Sequence, residues 1–66
     1  MKKKLDTPLH TRQVFTVEET ADYLRVSRST IYRLMREHTL PFAKVGGRTL
    51  VRRYDVDVML EKAMTR

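Results

Sequence analysis

The sequence predicts a mainly α domain with a small β-hairpin, in the order helix, helix, strand, strand, helix. Three observations carry that expectation. Two short helical segments, each with its own N-terminal cap, are separated by only Arg25-Val26-Ser27; a Gly46-Gly47 pair sits between two extended runs; and an apolar stripe at i, i+3, i+4, i+7 closes the chain. The 66 residues suffice for one small domain. A domain of that size buries only about 60% of the surface its unfolded chain exposes, so its core is thin.

The first helix is expected over Val17 to Leu24. Thr16 and Glu19 have the spacing of a capping box, and Glu18 and Glu19 suit the positive end of the helix dipole. Phe15, just ahead of the cap, is placed to staple across it. Val17, Ala21 and Leu24 make one apolar stripe, on which the small Ala21 lets a second helix cross closely. Ser27 is a good cap for that second helix, expected from about Arg28 to Glu37. Unrolled at about 100° per residue, Leu34, Met35 and His38 fall within about 60° of Ile31 and mark the core side. Ser29, Tyr32, Arg33 and Arg36 point outward together, with Arg28 on the flank. His38 reads as the residue that ends the helix, because histidine tolerates the left-handed region better than most.

Leu40-Pro41 breaks the pattern. Phe42 to Val45 and Arg48 to Arg53 read as two strands joined by Gly46-Gly47, since glycine accepts the positive φ of a type I′ turn. Alternation predicts Ala43, Val45, Thr49 and Val51 on one face, with Lys44, Leu50 and Arg52 on the other. A last helix is expected to be capped by Tyr54 or Asp55. Val56, Met59, Leu60 and Ala63 form its packed stripe, Val58 and Met64 lie off it, and its end frays near Met64. Residues 1–13 are polar and basic, contain Pro8 and show no periodicity. They read as a flexible N-terminal arm, with His10 unstructured, ahead of a domain over residues 14–66.

The charge pattern narrows the function. Net charge is +6, from 14 basic and 8 acidic residues, and it is segregated. Residues 25–40 carry +3 and residues 41–53 carry +4 with no acid, while residues 14–24 carry −3 and residues 54–66 carry −1. A solvated face mixes signs, so segregation favours a polyanionic partner, and the arm offers a further phosphate contact. Cysteine is absent, which excludes a disulfide scaffold and a thiolate zinc site. The two histidines cannot build a structural metal site alone. There is no glycine-rich phosphate loop and no nucleophile–base pair, so no enzyme and no cofactor are expected. No apolar run is long enough to span a membrane, and no secretory signal opens the chain, which reads as a soluble cytoplasmic protein.

Helix, turn, basic helix, glycine-tipped hairpin and helix together outline a winged helix-turn-helix. A helix can enter the DNA major groove, where base edges present a distinguishing pattern of donors and acceptors. Arginine reads guanine there with two hydrogen bonds. Ser27, Ser29 and Thr30 bring hydroxyls to the positive end of the second helix, which suits phosphate. A hairpin whose tip lacks side-chain bulk can press on the backbone or the minor groove, carrying Arg48. Other readings stand beside these. Tyr32 could pack partly with its hydroxyl in water, Arg28 could snorkel along the surface or pair with a carboxylate on the first helix, and exposed Val58 and Leu50 could be ordinary surface or belong to a partner site.

The stretches Phe15-Thr16-Val17-Glu18-Glu19-Thr20-Ala21, Leu24 through Leu34, Leu40-Pro41, Val45-Gly46-Gly47-Arg48 and Asp55-Val56 closely resemble the excisionase-type winged-helix family. That family comprises phage and transposon recombination directionality factors and is related to MerR-like DNA-binding domains. The resemblance covers residues 14–61. It implies major-groove or phosphate contacts by Arg28, Ser29, Thr30, Tyr32, Arg33 and Arg36, and wing contacts by Gly47, Arg48 and Arg52. It also implies double-stranded DNA as partner, together with a phage integrase and neighbouring copies of the chain on DNA, and a monomer in free solution in the cytoplasm of a bacterial host. Arg25 and His38 stand where the family often has glycine, Tyr54 replaces a usual serine cap, and Leu50 replaces a usual polar wing residue. A MerR-like activator would need a dimerising helix and an effector domain, which these residues do not supply. Two further readings remain: a small phage or plasmid transcriptional regulator with the same domain, and a winged-helix protein-interaction module that does not bind DNA.

Overall fold

The computed structural model describes residues 12–64. Its elements are β1 (Val14–Thr16), α1 (Val17–Leu24), α2 (Arg28–Arg36), β2 (Ala43–Val45), β3 (Arg48–Arg52) and α3 (Arg53–Met64). The expected α-α-β-β-α order is present, and one strand precedes it. β1 pairs antiparallel with β3, so the hairpin becomes a three-stranded sheet in the order β1-β3-β2. Phe15 therefore does more than staple a cap: it faces Val51 across the sheet, and both are fully buried.

The helix boundaries follow from local chemistry. Thr16 Oγ1 accepts the Glu19 amide at 3.1 Å and Glu19 Oε1 accepts the Thr16 amide at 2.9 Å, so the capping box closes in both directions. Ser27 Oγ accepts the Thr30 amide at 3.2 Å and caps α2. Both helices end in the same way. Arg25 N–H donates to the Asp22 carbonyl and Val26 N–H to that of Ala21; His38 N–H donates to Met35 and Thr39 N–H to Leu34. These are Schellman motifs, and their left-handed residues are Arg25 and His38, each at φ 61°. The turn takes His38 away from the core side where its helical angle placed it, and it is exposed.

The core is formed by Phe15, Val17, Ala21, Ile31, Met35, Leu40, Val51 and Val56, with Tyr23, Leu24, Leu34 and Met59 packed against it. Thr20 is also fully buried, its hydroxyl donating to the Thr16 carbonyl at 2.8 Å. The Phe15 and Tyr23 rings lie 4.9 Å apart, and Tyr23 Oη donates to Asp57 Oδ1 at 2.8 Å, which ties α1 to α3.

Three expectations are corrected. The hairpin faces differ from the alternation reading, because a two-residue turn pairs Val45 directly with Arg48 and directly paired residues share a face. Lys44, Thr49 and Val51 share the core-side face; Ala43, Val45, Arg48, Leu50 and Arg52 share the outer one. Helix α3 starts at Arg53, ahead of the expected cap, because the Arg53 amide finds the Gln13 carbonyl at 2.9 Å. Its apolar stripe is only partly used. Val56 is fully buried, but Leu60 and Ala63 are exposed, since α3 packs on β3 through its first turns and runs on past the core.

Residues 1–11 of the expected arm, His10 among them, lie outside the described residues. Arg12 and Gln13 are held to the domain: the Arg12 guanidinium pairs with Glu19, and Gln13 receives Arg53 as above.

Candidate nucleic-acid interface

Helix α2 divides cleanly by side. Ile31 and Met35 are sealed in the core, while Arg28, Ser29, Tyr32, Arg33 and Arg36 are all exposed and Thr30 is half-buried. Tyr32 keeps about half of its surface (48%) in solvent, so it is available at the surface. Ser27, Ser29 and Thr30 bring their hydroxyls together at the start of α2, with Ser27 Oγ 3.0 Å from both Ser29 Oγ and Thr30 Oγ1. Helix α1 packs against α2 and so sets this face, and its small Ala21 is buried in the core that Ile31 and Met35 of α2 share.

The wing is anchored through β3, the central strand of the sheet. Gly46 (φ 58°) and Gly47 (φ 83°) take the left-handed conformations that a type I′ turn requires, and a Cβ at either would meet no atom within 4 Å. Arg48 and Arg52 project from the same outer face, because both follow the register of Leu50. The structure thus gathers the α2 residues on one flank and the wing arginines on one sheet face. The two groups belong to separately anchored units, α2 resting chiefly on α1 and the hairpin on β1, α1 and α3 through β3.

The cations fall into two classes. Arg28 Nη1 donates to Glu18 Oε2 at 2.8 Å, Arg33 lies 3.6 Å from Glu37, and Arg52 holds both oxygens of Asp55 at 2.7 and 3.0 Å. The Asp55 hydrogen bond, and then its charge, raise the Arg52 pKa above the ordinary guanidinium value, so Arg52 stays cationic. Its guanidinium also stands 5.8 Å from the centre of the Tyr54 ring. Among the described residues, Arg36, Lys44 and Arg48 make no ion pair. The sequence had left open a carboxylate on the first helix as the partner of Arg28, and Glu18 is that partner. The signal was an acid in the first turn of α1 and a base at the first position of α2.

Residues 14–64 match the model of a helix-turn-helix domain. The chain belongs to the helix-turn-helix domain family. No curated protein and no solved structure matches it. Helix-turn-helix domains are DNA-binding units whose second helix enters the major groove; the second helix of this chain is α2. Among the described residues of this helix-turn-helix protein, no three His, Asp or Glu side chains gather as metal ligands, and no helix is long and apolar enough to cross a membrane.

Proposed function

We propose that this helix-turn-helix protein is a small architectural DNA-binding protein of the excisionase kind. The observation that carries the reading is the outward side of α2, where Arg28, Ser29, Tyr32, Arg33 and Arg36 are exposed while Ile31 and Met35 on the opposite side lock the helix into the core. In this reading α2 lies in the major groove, with Arg33 on a base edge and the hydroxyls of Ser29 and Thr30 on phosphate. Gly47 lets the wing approach the adjacent backbone or minor groove, Arg48 supplies its unpaired charge, and Arg52 adds a guanidinium held in place by Asp55.

The protein is a monomer in free solution. Several copies bind side by side beside a recombination locus and bend the duplex. The bent complex favours excision by an integrase and disfavours integration. The last turn, from Glu61 onward, is the contact for that integrase or for a neighbouring copy. It borders an open groove lined by Leu24, Val26, Leu34, Met59, Leu60 and Ala63. Support for the finer role comes from the motif resemblance, and support for DNA binding from the family match and the +6 charge.

Footprinting on attachment-region DNA, with bending read from gel mobility, tests the reading. Tandem protected sites and a position-dependent mobility are expected. Neutralising about six phosphates makes log affinity fall with log salt at a slope near −5. Protection of a promoter operator alone, without bending, would assign the protein to transcriptional regulation. A flat salt response and no affinity for any duplex would make it a protein-interaction module.

A further inference from the structure

The three acid-paired cations of the interface are not equivalent. Arg33–Glu37 is an i,i+4 pair at the end of α2, which helical spacing produces by itself, and Arg52–Asp55 links the last residue of β3 to the first turn of α3 just three residues on. Arg28–Glu18 joins two helices, and its side chains remain 63% and 73% exposed. Exposed pairs of this kind add little to folding. Arg28 also sits at the first position of α2, the positive end of the helix dipole, where a cation is unfavourable, and the first turn of α2 contains no acid of its own. Glu18, reaching over from the first turn of α1, supplies the missing negative charge. A cation placed against its own helix dipole and steadied from a neighbouring element is arranged for a ligand rather than for the fold.

We propose that Glu18 is a specificity-determining positioning residue that acts through Arg28. This rests on the DNA-binding reading above. The Glu18 carboxylate takes one guanidinium nitrogen and fixes the direction of the side chain, leaving the remaining donors of the fork for an acceptor in the groove. On a random duplex no base acceptor meets that fork. The only gain left to Arg28 is attraction to phosphate, and the carboxylate 2.8 Å away opposes it. On a cognate duplex a base with paired acceptors, guanine in the major groove, meets a donor whose orientation is already set, so less rotamer freedom is lost on binding. Glu18 therefore penalises random DNA more than cognate DNA, a repulsive element built into the reading surface. Arg36 and Arg48, without acidic partners, carry the sequence-independent attraction.

The test uses the full chain and two probes: a duplex obtained by in vitro selection and a random-sequence duplex of equal length. Affinity is measured against salt for the wild type, Glu18→Gln, Arg28→Ala and the double variant, each checked for folding by circular dichroism and thermal melting. Glu18→Gln is expected to bind the random duplex roughly three- to tenfold more tightly and to steepen its salt slope by about 0.9, the value of one more cation on phosphate. Affinity for the selected duplex changes less, so the ratio between the two falls. In the Arg28→Ala background the same substitution leaves the slope where it was. An unchanged slope and random-duplex affinity in Glu18→Gln would overturn the proposal. So would an equal loss on both duplexes, as a purely structural role gives, or a steeper slope in the absence of Arg28. A wild type that binds neither probe would instead overturn the DNA-binding reading on which the proposal stands.

Discussion

Residues 16–39 and residues 43–52 are held in place by different means. In the first stretch almost every helix end is closed by a neighbour in sequence: Thr16 and Glu19 cap one another, Ser27 caps α2, and both helices finish in Schellman turns. One side of each helix is then sealed in the core. In the hairpin, every residue of β2 is exposed, and only Val51 of β3 is buried. The first unit is stiff because its backbone groups are satisfied locally and its apolar side chains are packed. The second keeps its shape through one central strand and a glycine turn. A stiff helix suits reading of base edges, where the donor geometry decides the outcome. A lightly held wing suits contact with the phosphate backbone, whose position varies with sequence and bending.

The sharpest way to break this comparison is to empty the packed side. Ile31→Ala removes a fully buried side chain from α2 and is expected to cost about 2–5 kcal/mol of stability, read by urea or thermal unfolding. In so small a domain that loss is enough to abolish DNA binding. Val45→Ala, an exposed position in β2, should change stability by no more than about 0.5 kcal/mol. Similar losses at the two positions would show that the hairpin is as firmly packed as α2.

The next test separates the two units on DNA. Arg33→Ala is expected to cost about 1–3 kcal/mol on a selected duplex and to relax sequence preference at one position. Arg48→Ala should weaken binding to selected and random duplexes alike, with a shallower salt slope. Gel-shift titrations of both variants on both duplexes measure this. Equal losses on selected and random DNA for both variants would reject the division between a reading helix and a phosphate-binding wing.

The same contrast explains what the sequence made legible. Helices α1 and α2 were placed almost to the residue, because their caps are side chains three positions from their targets. The sorting of α2 into Ile31/Met35 and Tyr32/Arg33/Arg36 followed from period alone. What escaped was non-local. β1 has three residues, too few to show alternation, and exists only because β3 returns beside it. The α3 start depends on Gln13, and the Tyr23–Asp57 hydrogen bond joins elements far apart in sequence. In the hairpin the alternation of β3 holds and only β2 is turned over, by parity: the turn length decides which residues of β2 and β3 share a side. For the candidate site, the residue types were readable, but the split between arginines that have an acid partner and those that do not required coordinates.

A third prediction concerns the wing tip. Gly47 is at φ 83° with open space around its Cα, so Gly47→Ala meets no clash in the free protein and suffers only the strain of a positive φ. A loss of about 1 kcal/mol in stability is expected from that strain. Gly46→Ala, at φ 58° with equally open space, should cost a similar amount. If the tip presses against the duplex at Gly47, the DNA affinity of the two variants, measured under conditions where both are folded, will separate, with Gly47→Ala the weaker. Matching affinities would move the contact away from Gly47 and leave Arg48 as the wing's attachment.

The smallest effect is a gain, and it tests whether the stiff unit can be made stiffer. Arg25 closes α1 in the left-handed region at φ 61°, where a side chain is disfavoured and glycine is not. Its hydrogen bond to Asp22 uses the backbone amide, which glycine retains. Arg25→Gly should therefore raise stability by about 0.5–1 kcal/mol, with the relief of strain partly offset by the greater freedom of glycine in the unfolded chain. His38→Gly at the end of α2 is governed by the same geometry, at the same φ of 61°, and should behave alike. The two residues differ in what they lead into: Arg25 precedes α2 directly, whereas His38 leads into the hairpin. A gain in Arg25→Gly that leaves selected-duplex affinity unchanged would mean that the turn only connects the helices. A gain accompanied by weaker binding would make the Arg25 side chain, exposed beside the start of α2, a further contact to phosphate.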